Sequence, residues 1–159
     1  MTLLNVFKYT LKLLIVTSFT FQVWANDLHL VDGHIRAMPV TVPNTAAYFT
    51  LDNHGKAVRL VAAETPVAKE AQLHTLLEEN GVIKMRRVES YDIAEHGKLT
   101  LSQSGNHIMI IGLKKPLELG QKVPLTLMFS DNSQMTIELP VKKIVMPHDH
   151  DHQHQHHHH

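Results

Sequence analysis

Between residues 28 and 145, short apolar runs alternate with clusters of turn-forming residues. The runs are rich in Val, Ile, Leu, Thr, Tyr and Phe, and no stretch of ten or more residues has a convincing 3.6-residue period. This pattern predicts strands separated by tight turns. We expect nine strands, over residues 28–36, 45–53, 56–63, 70–78, 82–88, 98–102, 107–113, 123–130 and 134–142.

The sharpest turn signal is Asn80-Gly81. Both residues readily adopt the positive φ angles of a two-residue hairpin turn, so the runs 70–78 and 82–88 are predicted to pair antiparallel. Residues 66–79 have the Ala, Glu and Leu content of a helix, but the hairpin turn favours a strand for their second half. Many short strands at this spacing predict an all-β domain, either a two-sheet sandwich or a Greek-key barrel.

The two ends of the chain depart from the strand pattern. The first 25 residues place two lysines before a short apolar run and end in the small-x-small pattern Val23-Trp24-Ala25, which is typical of a secretory signal. The apolar run is shorter than the roughly 20 residues that a membrane span needs, so cleavage is favoured over a retained anchor, and we expect no stable membrane insertion after it. The predicted regions are a signal at 1–25, a β domain at 26–145 and a polar tail at 146–159.

The tail reads HDHDHQHQHHHH from His148 onward. It has no apolar residue there and cannot join a core. A purification tag is the alternative, and the last histidines could come from a vector. The alternation with Asp and Gln is unlike a usual tag and favours a native metal-binding tail. The candidate secondary ligands are Met146, His148, His150, His152, His154 and His156.

Charge and cysteine content exclude several classes of function. Without residues 1–25 the chain carries a net charge of −2 with histidine neutral, and it has no basic stripe, so nucleic acid is not an expected partner. The chain has no cysteine, which excludes a disulfide framework and the thiolate of a blue-copper electron-transfer centre. No nucleophile with an adjacent base, paired-carboxylate motif or phosphate-binding glycine loop is visible, so we do not expect an enzyme.

The residues that carry chemistry are two histidine–methionine pairs. His107 and Met109 lie two residues apart in one predicted strand, so their side chains point to the same face. His74 and Met85 lie on the two arms of the predicted hairpin, about equally far from its turn, and can approach each other across the ladder. Thioether sulfur suits Cu(I), and imidazole binds copper and zinc. Spacing leaves open whether the two pairs meet, and a methionine on a strand is more often core filler.

The spacing of these four residues resembles the signature of the periplasmic copper chaperone family called PCuAC. That signature is His, ten residues, Met, twenty-one residues, His-x-Met. Here His74 is followed by ten residues and Met85, and twenty-one more residues precede His107-Ile108-Met109. The resemblance covers about residues 28–143 and includes the matching segments 46–53, 73–74, 112–117 and 123–127.

The resemblance implies a cupredoxin-like Greek-key β-sandwich with a Cu(I) site near its surface, formed by His74, Met85, His107 and Met109. It implies a periplasmic metallochaperone that passes copper by ligand exchange to the binuclear copper centre of cytochrome oxidase, through an oxidase subunit or its assembly factor. Some members of the family carry a His- and Met-rich extension that takes Cu(II), and residues 146–159 resemble it. The alternative is a periplasmic copper or zinc buffer, or a tolerance protein, that acts mainly through this tail.

Two segments depart from the family pattern. The Pro-Gly-Gly that often precedes His-x-Met is replaced by Gln103-Ser104-Gly105-Asn106, and a frequent tryptophan by His34. The first change is expected to alter the loop beside the site. Met38 is a fifth candidate ligand. We interpret the remaining histidines, methionines and basic pairs as structural or solvated: His29, His34, His54, His96, Met128, Met135, Arg86-Arg87 and Lys114-Lys115. The alternative for the two basic pairs is a surface that binds an acidic partner.

Overall fold

The structure is a computed structural model and describes residues 27–144. These residues form ten strands and no α-helix, which confirms the all-β prediction. Nine of the strands match the predicted ones, and the three-residue strand β6 was missed. The strands are β1 (Leu28–Arg36), β2 (Asn44–Asn53), β3 (Val58–Glu64), β4 (Ala68–Glu79), β5 (Val82–Arg87), β6 (Tyr91–Ile93), β7 (Lys98–Thr100), β8 (His107–Leu113), β9 (Lys122–Phe129) and β10 (Gln134–Lys142).

Strands β4 and β5 form the predicted hairpin. Asn80 and Gly81 have φ angles of 56° and 77°, as a two-residue turn of this hand requires. Glu79 pairs with Val82 directly across the turn. Residues 68–79 are therefore extended along their whole length, and the helical alternative for this segment is wrong.

Seven strands close into a barrel in the order β4-β8-β2-β1-β10-β9-β3. The closure is a short pairing of β3 with β4, where Ala63 lies opposite Ala71. Strand β1 runs parallel to β10, and the other pairs are antiparallel. Strand β5 extends the sheet at β4, β6 pairs with β3, and β7 pairs with β2. The predicted single domain of the sandwich or barrel kind is confirmed.

The core lies inside the barrel and fixes which residues face outward. In β8, Ile108 and Ile110 are fully buried. Successive side chains of a strand point to opposite faces, so His107 and Met109 project from the outer face of the same strand. The largest fully buried side chains are Phe49, Ile35, Leu51, Leu60, Ile93, Ile108, Ile110, Leu125, Leu127, Leu139, Val123 and Val141.

The predicted signal at 1–25 and the predicted tail ligands Met146, His148, His150, His152, His154 and His156 lie outside the described residues. Within residues 27–144, no helix has the length and hydrophobicity of a membrane span.

Candidate metal centre

His74 and His107 lie directly opposite each other on neighbouring strands. They form the cross-strand pair at one end of the antiparallel β4–β8 ladder. Their ring centroids are 5.9 Å apart, with the ring planes tilted by 51°. His107 is only 2% exposed, and His74 is half-buried. The fold thus brings together two imidazoles that are far apart in the sequence.

Met109 lies on the same outer face as the two imidazoles. It follows His107 by two residues in β8 and pairs with Gln72 of β4. Residues two apart on a strand share a face, and so do cross-strand partners. Met109 is half-buried, so its thioether belongs to the partly sheltered side of the centre.

Met85 reaches this face from the edge of the sheet. It pairs with Leu76, which lies two residues beyond His74 in β4, so Met85 is diagonal to His74 and not opposite it. Diagonal neighbours on one face are about 7–8 Å apart, within reach of a long side chain. Met85 is 49% exposed, and every residue of β5 is exposed. One side of the centre therefore opens toward solvent.

Hydrogen bonds fix which ring nitrogen of each histidine carries the proton. Nδ1 of His107 donates to the carbonyl oxygen of Gly105 at 3.0 Å, and Nε2 of His74 donates to Oε1 of Gln72 at 3.0 Å. The amide nitrogen of Gln72 donates to the carboxylate of Glu70 at 2.5 Å, which orients the amide so that its oxygen faces His74. Because carbonyl and amide oxygens only accept hydrogen bonds, the opposite ring nitrogens keep their lone pairs.

Those two nitrogens, Nδ1 of His74 and Nε2 of His107, are buried and have no hydrogen-bond partner within residues 27–144. Buried polar atoms are normally paired, and leaving one unpaired costs about 1–3 kcal/mol. Histidines that bind metals usually donate their other ring N–H to an oxygen, as both do here. The residues present therefore fit a metal ion that takes two neutral imidazole nitrogens.

The electrostatic surroundings keep His74 neutral. Burial lowers the pKa of His74 below its ordinary value of 6.5, and the neighbouring His107 and the positive charge of Arg87 lower it further. A metal binds the deprotonated ring nitrogen, so the site does not have to release a proton from His74 near neutral pH.

Tyr91 lies beneath the two histidines, in the core. Its hydroxyl donates to the backbone carbonyl oxygen of His74 at 2.6 Å and to that of His107 at 2.8 Å. Tyr91 is 4% exposed, and burial raises its pKa to about 12. No pattern in the sequence points to Tyr91, because strand β6, which carries it, has only three residues and its hydroxyl contacts backbone atoms.

The two departures from the family pattern both lie near the centre. Gly105, in the altered loop, supplies the carbonyl that holds the ring of His107. His34 contacts Tyr48 with ring centroids 5.5 Å apart, and Tyr48 in turn lies 6.3 Å from the ring of His107. Burial lowers the pKa of His34, as does the charge of Lys142, while Asp32 opposes them. Gly105 therefore contacts His107 directly, whereas His34 contacts Tyr48, whose ring is the neighbour of His107.

The fifth candidate ligand, Met38, lies elsewhere. It lines a small cavity with Thr45 and Leu113. Leu113 ends β8, and His107 begins it, a distance of about 20 Å along the strand. No group of three or more His, Cys, Asp or Glu side chains that could hold a metal occurs in the part of the chain that the structure describes.

Comparison with known proteins identifies the family. Residues 28–141 match the LpqE-like lipoprotein family. The chain belongs to this PCuAC-type family. The resemblance predicted from the sequence is therefore confirmed at the level of the family.

Two curated relatives show how far the match extends. Over 100 residues the chain is 40% identical to Lxx21020 of Leifsonia xyli subsp. xyli, covering 62% of this chain and 60% of that protein. Over 122 residues it is 29% identical to RP573 of Rickettsia prowazekii, covering 76% of this chain and 64% of that protein. The match thus spans less than two thirds of either relative.

Two solved structures of copper-bound proteins share the fold. The solution structure of Cu(I)-bound DR1885 from Deinococcus radiodurans is 36% identical, with a TM-score of 0.58, and the match covers 70% of this chain and 76% of that chain. The copper-bound PCuAC domain from PmoF2 is 17% identical, with a TM-score of 0.62, and the match covers 74% of this chain and 94% of that chain. At 17% identity the second likeness concerns the fold alone.

Proposed function

We propose that this chain is a copper metallochaperone that holds one Cu(I) ion between His74, Met85, His107 and Met109. The observation that carries the proposal is a pair of buried ring nitrogens that have no hydrogen-bond partner among residues 27–144 and lie on the same sheet face as two methionines. Two imidazoles and two thioethers form an uncharged, soft to borderline donor set that suits Cu(I). Copper in DR1885, a 36% identical relative with the same fold, supports this choice of metal.

The four ligands differ in how firmly they are held, and this difference supports a transfer role. His107 is buried and its ring is fixed by Gly105, whereas Met85 is half exposed on the edge strand. A ligand from an acceptor protein can therefore approach on the side of Met85 and replace its thioether while the imidazoles still hold the ion. Copper then passes by ligand exchange without ever being free in solution.

We further propose that the chain works in the periplasm and delivers copper to the binuclear centre of cytochrome oxidase, through an oxidase subunit or its assembly factor. The lipoprotein character of the family supports an exported protein. The recipient rests on the resemblance to the PCuAC family. The His-rich tail at 146–159 is proposed to take Cu(II) as a separate store.

A transfer experiment tests this function. The chain without residues 1–25 is loaded anaerobically with one equivalent of Cu(I) and mixed with the apo copper domain of an oxidase subunit. The two proteins are then separated, and the copper in each is measured. We expect copper to move to the acceptor, with or without residues 146–159. Copper that stays on this chain would contradict delivery, and loss of Cu(I) binding on removal of the tail would favour the buffer.

A further inference from the structure

We propose that Tyr91 is a positioning residue for the copper site, and that its hydroxyl sets the separation of His74 and His107. The inference rests on the proposed function, because it concerns two of the same four ligands. No motif points to Tyr91, and its side chain does not lie on the ligand face.

The contacts of Tyr91 are confined to the backbone of the two histidines. Its hydroxyl lies 2.6 Å from the carbonyl oxygen of His74 and 2.8 Å from that of His107. One hydroxyl hydrogen is therefore shared by two acceptors on two strands. If the two strands move apart at this point, at least one of the two bonds is lengthened.

The contact lies at the end of the β4–β8 ladder, where it can control the separation of the two histidines. His74 and His107 form the last registered pair of the β4–β8 ladder, because β8 begins at His107 while β4 continues to Glu79 with β5 as its partner. The two strands are free to diverge beyond this pair. Tyr91 ties them together at the point where the ladder ends.

The donor is itself held firmly. Tyr91 is 4% exposed, and its strand pairs with β3, where Tyr91 lies opposite Leu60, a fully buried core residue.

Metal binding is sensitive to such positioning. Ligand distances in metal sites fall within about 0.2 Å of fixed values, and residues that orient a ligating histidine typically contribute 10- to 100-fold to metal affinity. A small divergence of β4 from β8 would move both ring nitrogens away from a shared ion.

The test is the substitution Tyr91→Phe, with Tyr48→Phe as the matched control. Tyr48 is also buried, and its ring contacts that of His107, but its hydroxyl makes no hydrogen bond to any residue that the structure describes. Cu(I) affinity is measured by competition with a chromophoric Cu(I) chelator, and fold stability by urea unfolding of the apo protein. We expect about tenfold weaker Cu(I) binding for Tyr91→Phe and less than twofold for Tyr48→Phe.

The outcomes separate this inference from the proposed function. If the unaltered chain and Tyr48→Phe bind Cu(I) but Tyr91→Phe binds equally well, only the role of Tyr91 is overturned, whatever its effect on stability. If the unaltered chain does not bind Cu(I), the proposed function itself is wrong.

A measurement on the unaltered protein covers the case in which Tyr91→Phe does not fold. We expect the hydroxyl proton of Tyr91 to be protected from exchange with water, as observed by NMR, both before and after Cu(I) loading. Loss of that protection on loading would overturn the positioning role, because the hydroxyl would then have left the two carbonyls in the copper-bound state.

Discussion

Replacing Gln72 by leucine tests whether a neighbouring side chain decides which ring nitrogen of His74 carries the proton. Oε1 of Gln72 accepts the N–H of His74 Nε2 at 3.0 Å, and its amide is oriented by Glu70. Leucine has a similar volume but no acceptor. In this variant the proton of the His74 ring is no longer held on Nε2, so the population with the proton on the coordinating Nδ1 rises.

The size of the effect follows from the one hydrogen bond that is lost. A neutral hydrogen bond contributes about 0.5–1.5 kcal/mol net, which corresponds to about two- to twelvefold in a binding constant. Changes next to metal-bound histidines typically cost 10- to 100-fold. The two ranges overlap near tenfold, and we expect Gln72→Leu to weaken Cu(I) binding by about that factor.

The assay combines a chelator competition titration with 15N NMR of the histidine ring, which reports the protonated nitrogen. The matched control is Gln134→Leu, because Gln134 is an exposed glutamine at the start of β10, on a strand that does not pair with β4 or β8. We expect no change in affinity for this control. If Gln72→Leu shifts the proton of His74 to Nδ1 and leaves Cu(I) affinity at the wild-type value, the reasoning from protonation state to binding is refuted.

Three further predictions concern the methionines, the pH dependence of stability, and the tail. Met85→Leu and Met109→Leu each remove a thioether at nearly constant volume. Each should weaken Cu(I) binding at least tenfold in the competition titration and change the free energy of unfolding by less than about 1.5 kcal/mol. Unchanged affinity would exclude that residue as a ligand. Because the pKa of His74 is lowered in the folded state, the unfolded state binds more protons below pH about 6.5. The free energy of unfolding is therefore undiminished above that pH and falls as the pH drops toward the pKa of His74 in the folded state. His74→Gln should flatten this part of the urea-unfolding profile, and an unchanged slope would contradict it. Deletion of residues 146–159 should leave Cu(I) affinity unchanged and remove most Cu(II) uptake; retained Cu(II) uptake would argue against a Cu(II) tail.

The β4–β5 hairpin could be predicted from the sequence because its signal is local. Asn80 and Gly81 adopt the positive φ angles that they tolerate better than other residues do. The turn signal does not fix the exact register. Equal distances from the turn place His74 and Met85 nearly opposite each other, whereas the pairing of Glu79 with Val82 makes them diagonal. The two side chains nevertheless share a face, since the offset is two residues.

The meeting of His74 with His107 could not be predicted from the local pattern. It depends on the pairing of β4 with β8, two strands that are separated in the chain by β5, β6 and β7. Only the spacing shared with the PCuAC family connected them, and that was a resemblance, not a derivation from physical principles.

The residues that orient the histidines differ in how far the sequence pointed to them. The Tyr91 hydroxyl contacts only the backbone carbonyls of the two histidines, and such contacts leave no side-chain spacing to recognise. Gly105 accepts through its own carbonyl oxygen, and the sequence pointed to its loop but not to this contact. Gln72 had a usable signal, because Glu70, Gln72 and His74 alternate along one strand and so share a face. Polar residues at every second position before a candidate ligand can therefore be examined for this role.

X-ray absorption spectroscopy of the Cu(I)-loaded chain at the copper edge, with and without the substitutions His74→Ala and Met109→Ala together, tests the central claim most directly. For the wild type, the proposed site predicts one Cu(I) per chain, bound by two imidazole nitrogens and two thioether sulfurs. For the double variant, it predicts loss of that spectrum and a large drop in Cu(I) affinity. A copper shell without sulfur, or a double variant that binds Cu(I) as tightly as the wild type with the same spectrum, would contradict it.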